Sequence, residues 1–428
     1  MKRYNAYKDS GVKWIGEIPS HWKTTKLKHI IVKLYREKRP NSELLVCSNK
    51  GKVIKKGDSK IGLVADNDDI YQGVCKGDLL IHGMDTWHGA IAISNFDGMC
   101  TPVVHVCDSK QNKTYIALYL QFMAISKVFK LISNGVRQNT SDFRSWDKVG
   151  AIPIMVPPLH EQQVIVDYLK DKTLKIEQYV SARERERELL DSLKQSEIAN
   201  IVTKGLNPNV KMKDSGIPWI GEIPEGWKVE RLKSQVVEIN EKNSPLKTDY
   251  VLSLTIKDGV IPYEEKGDVG NKAKENHEEY KLAYPDTIVL NSMNMIVGAV
   301  GKSAFMGCVS PVYYVITAKE GVDPNFYAYL LNSPKIREVY HSLGRGIYAI
   351  ERGEGRVNTC RLKVPYYDFS IIKVPVPSYE EQIKIATYLD EKTQQIDSLI
   401  ALKQDKIAEL KDYKKSVIYE YVTGKKRV

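Results

Sequence analysis

The side chains that could carry a reaction are present but do not converge. His82 and His88 stand close in sequence without further ligands at metal spacing, and the cysteines at 47, 75, 100, 107, 308 and 360 form no C-x-x-C pair. Neither a zinc site nor a disulfide framework is expected, and free thiols fit a reducing cytoplasm. No G-x-x-x-x-G-K-[ST] loop, H-E-x-x-H motif, glycine-rich S-adenosylmethionine loop or Asn/Asp-Pro-Pro-aromatic motif of amino-methylating enzymes occurs. Gly344, Gly346, Gly353 and Gly355 do not lie between a predicted strand and helix, as a phosphate loop requires. Pro285-Asp286 lacks the downstream Glu-x-Lys of a nuclease. No nucleophile, base and orienting group assemble from these pieces, so no catalytic residue, metal or cofactor is expected.

What remains is the chemistry of recognition. Lys plus Arg number 64 against 53 Asp plus Glu, a formal net charge of +11, which favours a polyanionic partner. The segment SNGVRQNTSDFRSW (133–146) offers Arg137, Gln138, Asn139 and Arg144, side-chain types that pair bidentately with guanine or adenine. A second segment, LGRGIYAIERGEGRVN (343–358), offers Arg345, Tyr348, Arg352 and Arg356, with glycines that let backbone approach a ligand closely. Both read as polar loops, and an ordinary surface loop is the competing reading. Lys50, Lys52, Lys55, Lys56 and Lys60 form a basic run that suits phosphate, or else a solvated hairpin. Tyrosine, at 25 against 7 Phe, has the apolar body and polar tip of wet interfaces.

The elements that must position these segments are written twice. Residues 8–28 (KDSGVKWIGEIPSHWKTTKLK) return as 213–233 (KDSGIPWIGEIPEGWKVERLK), identical at 14 of 21 positions at an offset of 205. Residues 157–203, opening PPLHEQQ, return as 377–423, opening PSYEEQI, with 15 of 47 identical at an offset of 220. Fainter echoes join Gly77–Ile81 to Asp286–Leu290 and 98–106 to 306–315. The second intervening region is therefore about 15 residues longer, and each half has the order arm, divergent region, Pro-Gln punctuation, long helix.

Apolar residues recur at helical spacing through 160–203 and again through the second copy, with Gly205 and Gly424 as stops. About 43 helical residues span roughly 65 Å at 1.5 Å per residue. Neither helix can bury its stripe alone, so the two are expected to pair antiparallel as a coiled coil. Strands are expected at 77–82, 90–94, 103–107, 288–291, 299–304 and 312–317, and helices at 114–133 and 325–342, the latter broken or kinked by Pro334. Trp14, Trp22, Trp219 and Trp227 of the arms are anchors for a core or for a partner, and Glu161–Gln162 and Glu381–Gln382 sit where acidic groups suit a helix dipole. No run of about 18 apolar residues exists to span a membrane, and the N-terminal stretch lacks the apolar core of a secretory signal.

The arm WIGEIP-x-x-W, the segment PPLHEQQ, the helices carrying Asp171-Lys172-Thr173 and Glu391-Lys392-Thr393, and the duplication around two divergent inserts resemble the specificity (S) subunit of type I restriction–modification systems. The resemblance covers nearly the whole chain. It implies an α+β protein with two globular α/β target recognition domains joined by two long antiparallel helices in a pseudo-twofold repeat: arm and first domain over 1–156, spacer helix over 157–205, second arm and domain over 206–376, second spacer helix over 377–428. Each domain would read one half of a split site in double-stranded DNA, asymmetric because the inserts differ. The helices would dock two methylation (M) subunits, and restriction (R) subunits would complete the nuclease, in the cytoplasm and away from membranes. Two alternatives stand beside this reading: an enzyme with activity hidden in the inserts, and a coiled-coil scaffold that reads no DNA.

Overall fold

The computed structural model describes residues 3–37, 41–57, 70–133, 143–267, 272–347, 351–352, 356–357 and 361–428. It divides into two units, Met1–Glu184 with Gln404–Val428, and Arg185–Lys403. No helix of the described residues is long and apolar enough to cross a membrane.

In the first unit the arm is a hairpin of β1 (Tyr7–Asp9) and β2 (Glu17–Pro19), followed by β3 (Lys23–Lys26). A four-stranded antiparallel sheet follows. It comprises β4 (Ile31–Lys33), β8 (Leu79–His82), β9 (Ile91–Ile93) and β11 (Val104–Ser109), in the order β4-β11-β8-β9. The hairpin β5 (Leu45–Ser48)–β6 (Lys52–Lys55) and the pair β7 (Gln72–Val74)–β10 (Gly98–Cys100) cover one side through a core of Leu45, Val53, Leu80 and Val106. Helices α1 (Lys113–Ile125) and α2 (Val128–Ile132) pack in the larger core with Leu79, Ile81 and Ile91. The alternation along Leu79–Ile81, buried on both faces, follows from this double cover. The expected single helix over 114–133 is in fact two, because Lys127 turns into the left-handed region at φ 59°. The short α3 (Trp146–Gly150) then leads to β12 (Pro153–Val156), which pairs with β3 of the arm.

The second unit repeats this plan. Its arm is β13 (Met212–Asp214), β14 (Glu222–Pro224) and β15 (Lys228–Arg231). Its sheet is built from β16 (Val236–Glu238), β20 (Ile288–Asn291), β21 (Val300–Lys302) and β23 (Tyr313–Ala318), in the order β16-β23-β20-β21. The cover is β17 (Leu252–Thr255)–β18 (Gly259–Pro262) and β19 (Lys281–Ala283)–β22 (Gly307–Val309). Helices α5 (Pro324–Asn332) and α6 (Pro334–Leu343) answer α1 and α2, with Pro334 at the first position of α6, where its missing N–H costs nothing. The strands β24 (Arg345–Ile347), β25 (Glu351–Arg352), β26 (Arg356–Val357) and β27 (Arg361–Lys363) pair β24–β27 and β25–β26, so the described residues of the expected loop over 343–358 include paired strands. Then come α7 (Tyr366–Ser370) and β28 (Lys373–Val376), paired with β15. Divergent sequences thus keep one topology, because apolar pattern and turn positions are preserved while side chains change.

The long helices are α4 (Leu159–Lys204) and α8 (Tyr379–Val422), about 69 and 66 Å at 1.5 Å per residue. Both begin at a proline-bearing segment and end at a glycine in the left-handed region, Gly205 at φ 75° and Gly424 at φ 72°. Inside the first unit the halves present run antiparallel: Tyr168 meets Tyr421 (ring centroids 4.5 Å), Glu177 pairs with Lys414 at 2.6 Å and Glu184 with Lys411 at 3.0 Å. Inside the second unit Lys403 pairs with Glu186 at 2.7 Å, Lys194 with Asp397 at 2.6 Å, and the Tyr388 hydroxyl donates to Glu197 at 2.7 Å.

Candidate nucleic-acid interface

Each arm closes on a helix end. Trp22 is buried, and a Cβ placed on Gly424 would lie 2.4 Å from Pro19 Cδ and 3.1 Å from Trp22 Cη2, so only glycine fits there. In the second unit Trp227 and Pro224 meet Gly205 in the same way, at 3.2 and 3.7 Å. The arm tryptophans are therefore core residues, with Trp14 and Trp219 packed partly buried beside them. Glu161 and Glu381 do more than suit a dipole. Glu161 accepts from the Tyr4 hydroxyl and lies 2.9 Å from His21 Nε2, while Glu381 accepts from Trp227 Nε1 at 2.8 Å. Gln162 and Gln382 are buried, and each accepts the backbone N–H that opens the insert helices, from Asn112 at 3.0 Å and Asp323 at 2.9 Å.

Several tyrosines serve these cores, while others, Tyr35, Tyr179 and Tyr367 among them, are exposed. Tyr115, Tyr119 and Tyr340 are buried, with hydroxyls donating to backbone carbonyls (Tyr115 to Met155 and Val422, Tyr119 to Pro153, Tyr340 to Leu331). Burial pushes their ionisation well above the ordinary phenol value. Cys47, Cys100, Cys107 and Cys308 are buried thiols, Cys100 and Cys107 pushed up to about 12 by burial. Among the described residues no group of His, Cys, Asp and Glu gathers as metal ligands.

The segments singled out for base contact lie beside the ends of the two central strands of each sheet, β8 and β11 in the first unit and β20 and β23 in the second. Thirteen residues (133–145) join α2 to α3, and twenty-two (344–365) join α6 to α7, so this connection accounts for most of the excess length of the second copy. Arg137, Gln138 and Asn139 lie outside the described residues, as do Lys60 and Tyr348. Arg144 is exposed, its Nη2 2.8 Å from Met84 Sδ, and its neighbour Phe143 is buried with its carbonyl 2.8 Å from His105 Nε2. Arg345 starts β24 exposed and pairs with Asp368 at 2.7 Å; Arg352 and Arg356 stand opposite each other in the β25–β26 register. The second segment is rooted where Val364 N–H donates to Ser292 O at 3.0 Å and the Tyr314 hydroxyl donates to Val364 O at 2.8 Å.

The described part of the lysine run lies on the β5–β6 hairpin, the form expected for a solvated hairpin. Lys52 and Lys55 bound β6 and are exposed, and Lys56 follows half-buried. Lys55 pairs with Glu43 at 2.7 Å and lies 5.4 Å from the Phe96 ring centroid.

The sequence reading missed the turn between β8 and β9, and its counterpart between β20 and β21, which touch the roots of both segments. The signal was available: Gly89-Ala90 and Gly298-Ala299 follow the echoing strands at one offset.

Two like units, each with a basic segment beside the ends of its central strands and paired halves of two long helices, are the arrangement of a duplicated DNA-specificity protein. The description "Type I restriction modification DNA specificity domain" names the family whose model matches residues 19–182 and 224–412, and the chain belongs to that family. Its chemistry therefore lies in partner subunits, and a bare scaffold is not the reading that this membership supports. A Methanocaldococcus jannaschii protein named for the MjaX type I restriction enzyme specificity subunit is 26% identical over 443 residues, covering 97% of this chain and 96% of that protein. The MjaVIII specificity subunit of the same organism is 27% identical over 293 residues, covering 65% of this chain and 63% of its own. A solved structure from a study of assembly and conformational transition in the type I system superposes with a TM-score of 0.67 at 16% identity, covering 95% of this chain and 98% of the other. That likeness is one of fold.

Proposed function

We propose that each unit reads one half of an asymmetric, bipartite site in double-stranded DNA, and that two methylation subunits dock on the α4–α8 pair, with restriction subunits joining the full cytoplasmic complex. The functional segments are then 1–156 and 206–376 as recognition domains, and 157–205 and 377–428 as spacer helices. Arg137, Gln138, Asn139 and Arg144 supply base contacts in the first domain, and Arg345, Tyr348, Arg352 and Arg356 in the second. Lys52, Lys55 and Lys56 hold phosphate. The observation that carries this reading is the pattern of divergence: framework strands repeat in order and register, while the connection bearing the arginines differs most in length and composition. Framework constancy with divergence in one connection is what two readers of different half-sites require, since phosphate contacts position and base contacts specify.

The test is a genome-wide map of methylated adenines in cells carrying this chain with its methylation subunits. One motif with two unequal halves is expected. Exchanging residues 30–150 for those of a relative should change one half only; a change in both halves overturns the assignment of one reader per unit.

A further inference from the structure

The chain makes one tight turn twice, between β8 and β9 and again between β20 and β21. The main-chain bonds correspond: His82 N–H to Ala90 O (2.9 Å) and Asn291 N–H to Ala299 O (3.0 Å), Ala90 N–H to Asp85 O (3.2 Å) and Ala299 N–H to Asn294 O (3.0 Å). Gly89 N–H donates to Thr86 O at 3.0 Å and Gly298 N–H to Met295 O at 3.1 Å, both glycines in the left-handed region at φ 80° and 96°. Thr86 and Met295 are the buried anchors. The outward positions do not correspond. Trp87 and Ile296 pack part-buried against the cores, and on either side of them Asp85 and His88 become Asn294 and Val297. A turn held by its own backbone and a buried anchor places no demand on those side chains.

The turn is not a remote surface. In the first unit a Cβ on Gly83 would lie 2.9 Å from Phe143 O and 3.0 Å from Arg144 Cα, and Arg144 reaches Met84. In the second, Val364 donates to Ser292 O, and a Cβ on Gly344 would lie 3.4 Å from Ile296 Cδ1. Each arginine-bearing segment thus rises from the turn. Lys130 Nζ stands 5.6 Å from the Trp87 ring centroid and adds positive charge beside it.

We propose that these two turns are a second base-reading element in each unit, with Asp85 and His88 reading in the first and Asn294 and Val297 in the second. The inference rests on the half-site reading above and names further residues that set its specificity. Asn294 is exposed, and its amide has no hydrogen-bond partner among the described residues. It presents a donor and an acceptor side by side, the pattern that pairs with the N6 and N7 edge of adenine. Val297, 54% exposed, offers methyl groups to the thymine C5 methyl. Asp85 carries only acceptors and suits the N4 donor of cytosine. One backbone frame therefore presents different base-edge chemistry in its two copies.

The experiment uses the chain assembled with its methylation subunits and measures methyl transfer into duplexes in which each base pair of the recognised site is permuted. Asn294→Ala should lose discrimination at one base pair of the second unit's half by roughly tenfold to a hundredfold, leaving the other half unchanged. Full retention of discrimination at every base pair overturns the proposal. The triple variant R345A/R352A/R356A separates the two claims. If it relaxes the half-site while Asn294→Ala does not, the turn is no reader and the half-site reading stands. If neither relaxes it, the half-site reading of this unit fails as well. Should the Asn294→Ala complex methylate nothing, Asn294→Asp decides: it must shift the base accepted at a single position, and an unshifted preference overturns the proposal.

Discussion

Replacing Gln382 by alanine tests how the long helices fasten the recognition folds. The side chain is buried, Oε1 accepts from Asp323 N–H at 2.9 Å, and Nε2 donates to Pro377 O at 3.0 Å. Asp323 in turn caps α5, its carboxylate accepting from Phe326 N–H at 2.7 Å. Truncation strands one buried donor and one buried acceptor, at about 1–3 kcal/mol each, so a loss of about 2–6 kcal/mol is expected. Gln162 makes the corresponding bonds to Asn112 N–H (3.0 Å) and Pro157 O (2.8 Å), so Gln162→Ala should cost a similar amount in the first unit. The two residues share no partner, and the double variant should equal the sum within about 0.5 kcal/mol. Urea unfolding of the full chain, followed by tryptophan fluorescence, measures all three. Gln382→Glu is a control with a sign: it keeps an acceptor, loses the donor to Pro377, and sets a buried carboxylate near Asp323, so it should be no milder than alanine at neutral pH. A cost below about 1 kcal/mol for Gln382→Ala would refute the claim that this residue joins α5 to α8.

Trp22→Phe and Trp227→Phe should part company. Trp227 loses a charge-assisted bond to Glu381, about 1.5–3 kcal/mol beyond ring packing, whereas Trp22 Nε1 has no partner among the described residues and its loss should add almost nothing to the packing term; thermal unfolding of each variant decides. Burial lowers the pKa of His82 and His105, so the folded first unit holds these rings neutral while the unfolded chain protonates them. Their contribution is present above the free value of 6.5 and falls away as pH drops below it, which unfolding followed from neutral to mildly acidic pH should record as falling stability. Replacing Lys52, Lys55 and Lys56 together by alanine should weaken binding equally on all DNA sequences. It should also flatten the salt dependence by about one unit of log-log slope for each phosphate left unneutralised, with binding measured from low to moderate salt as the check.

Much of the architecture follows from local pattern. An uninterrupted helical stripe with no Pro or Gly over 161–203, repeated 220 residues later, gives α4 and α8 nearly to the residue, because helix formation responds to neighbours three and four positions apart. The strands at 288–291 and 313–318 are legible for the same reason, being short β-branched runs between turn formers. The break at Lys127 was not, since a single left-handed residue has no periodic signal. The reading turns were also missed, because their side chains carry no motif and their importance lies in what packs against them.

What the amino-acid order alone determined is the duplication, the divergent inserts and the two long helices. Which helix end each arm grips was decided only in three dimensions. The arms are identical at 14 of 21 positions, and the helices end alike in Thr-Lys-Gly and Thr-Gly, so either arm chemically suits either end. In the folded chain Trp22 and Pro19 take Gly424, some four hundred residues away, while Trp227 and Pro224 take the nearby Gly205. Local sequence cannot encode that choice, because it follows from the antiparallel pairing that brings the far end of α8 beside the start of α4 in the first unit.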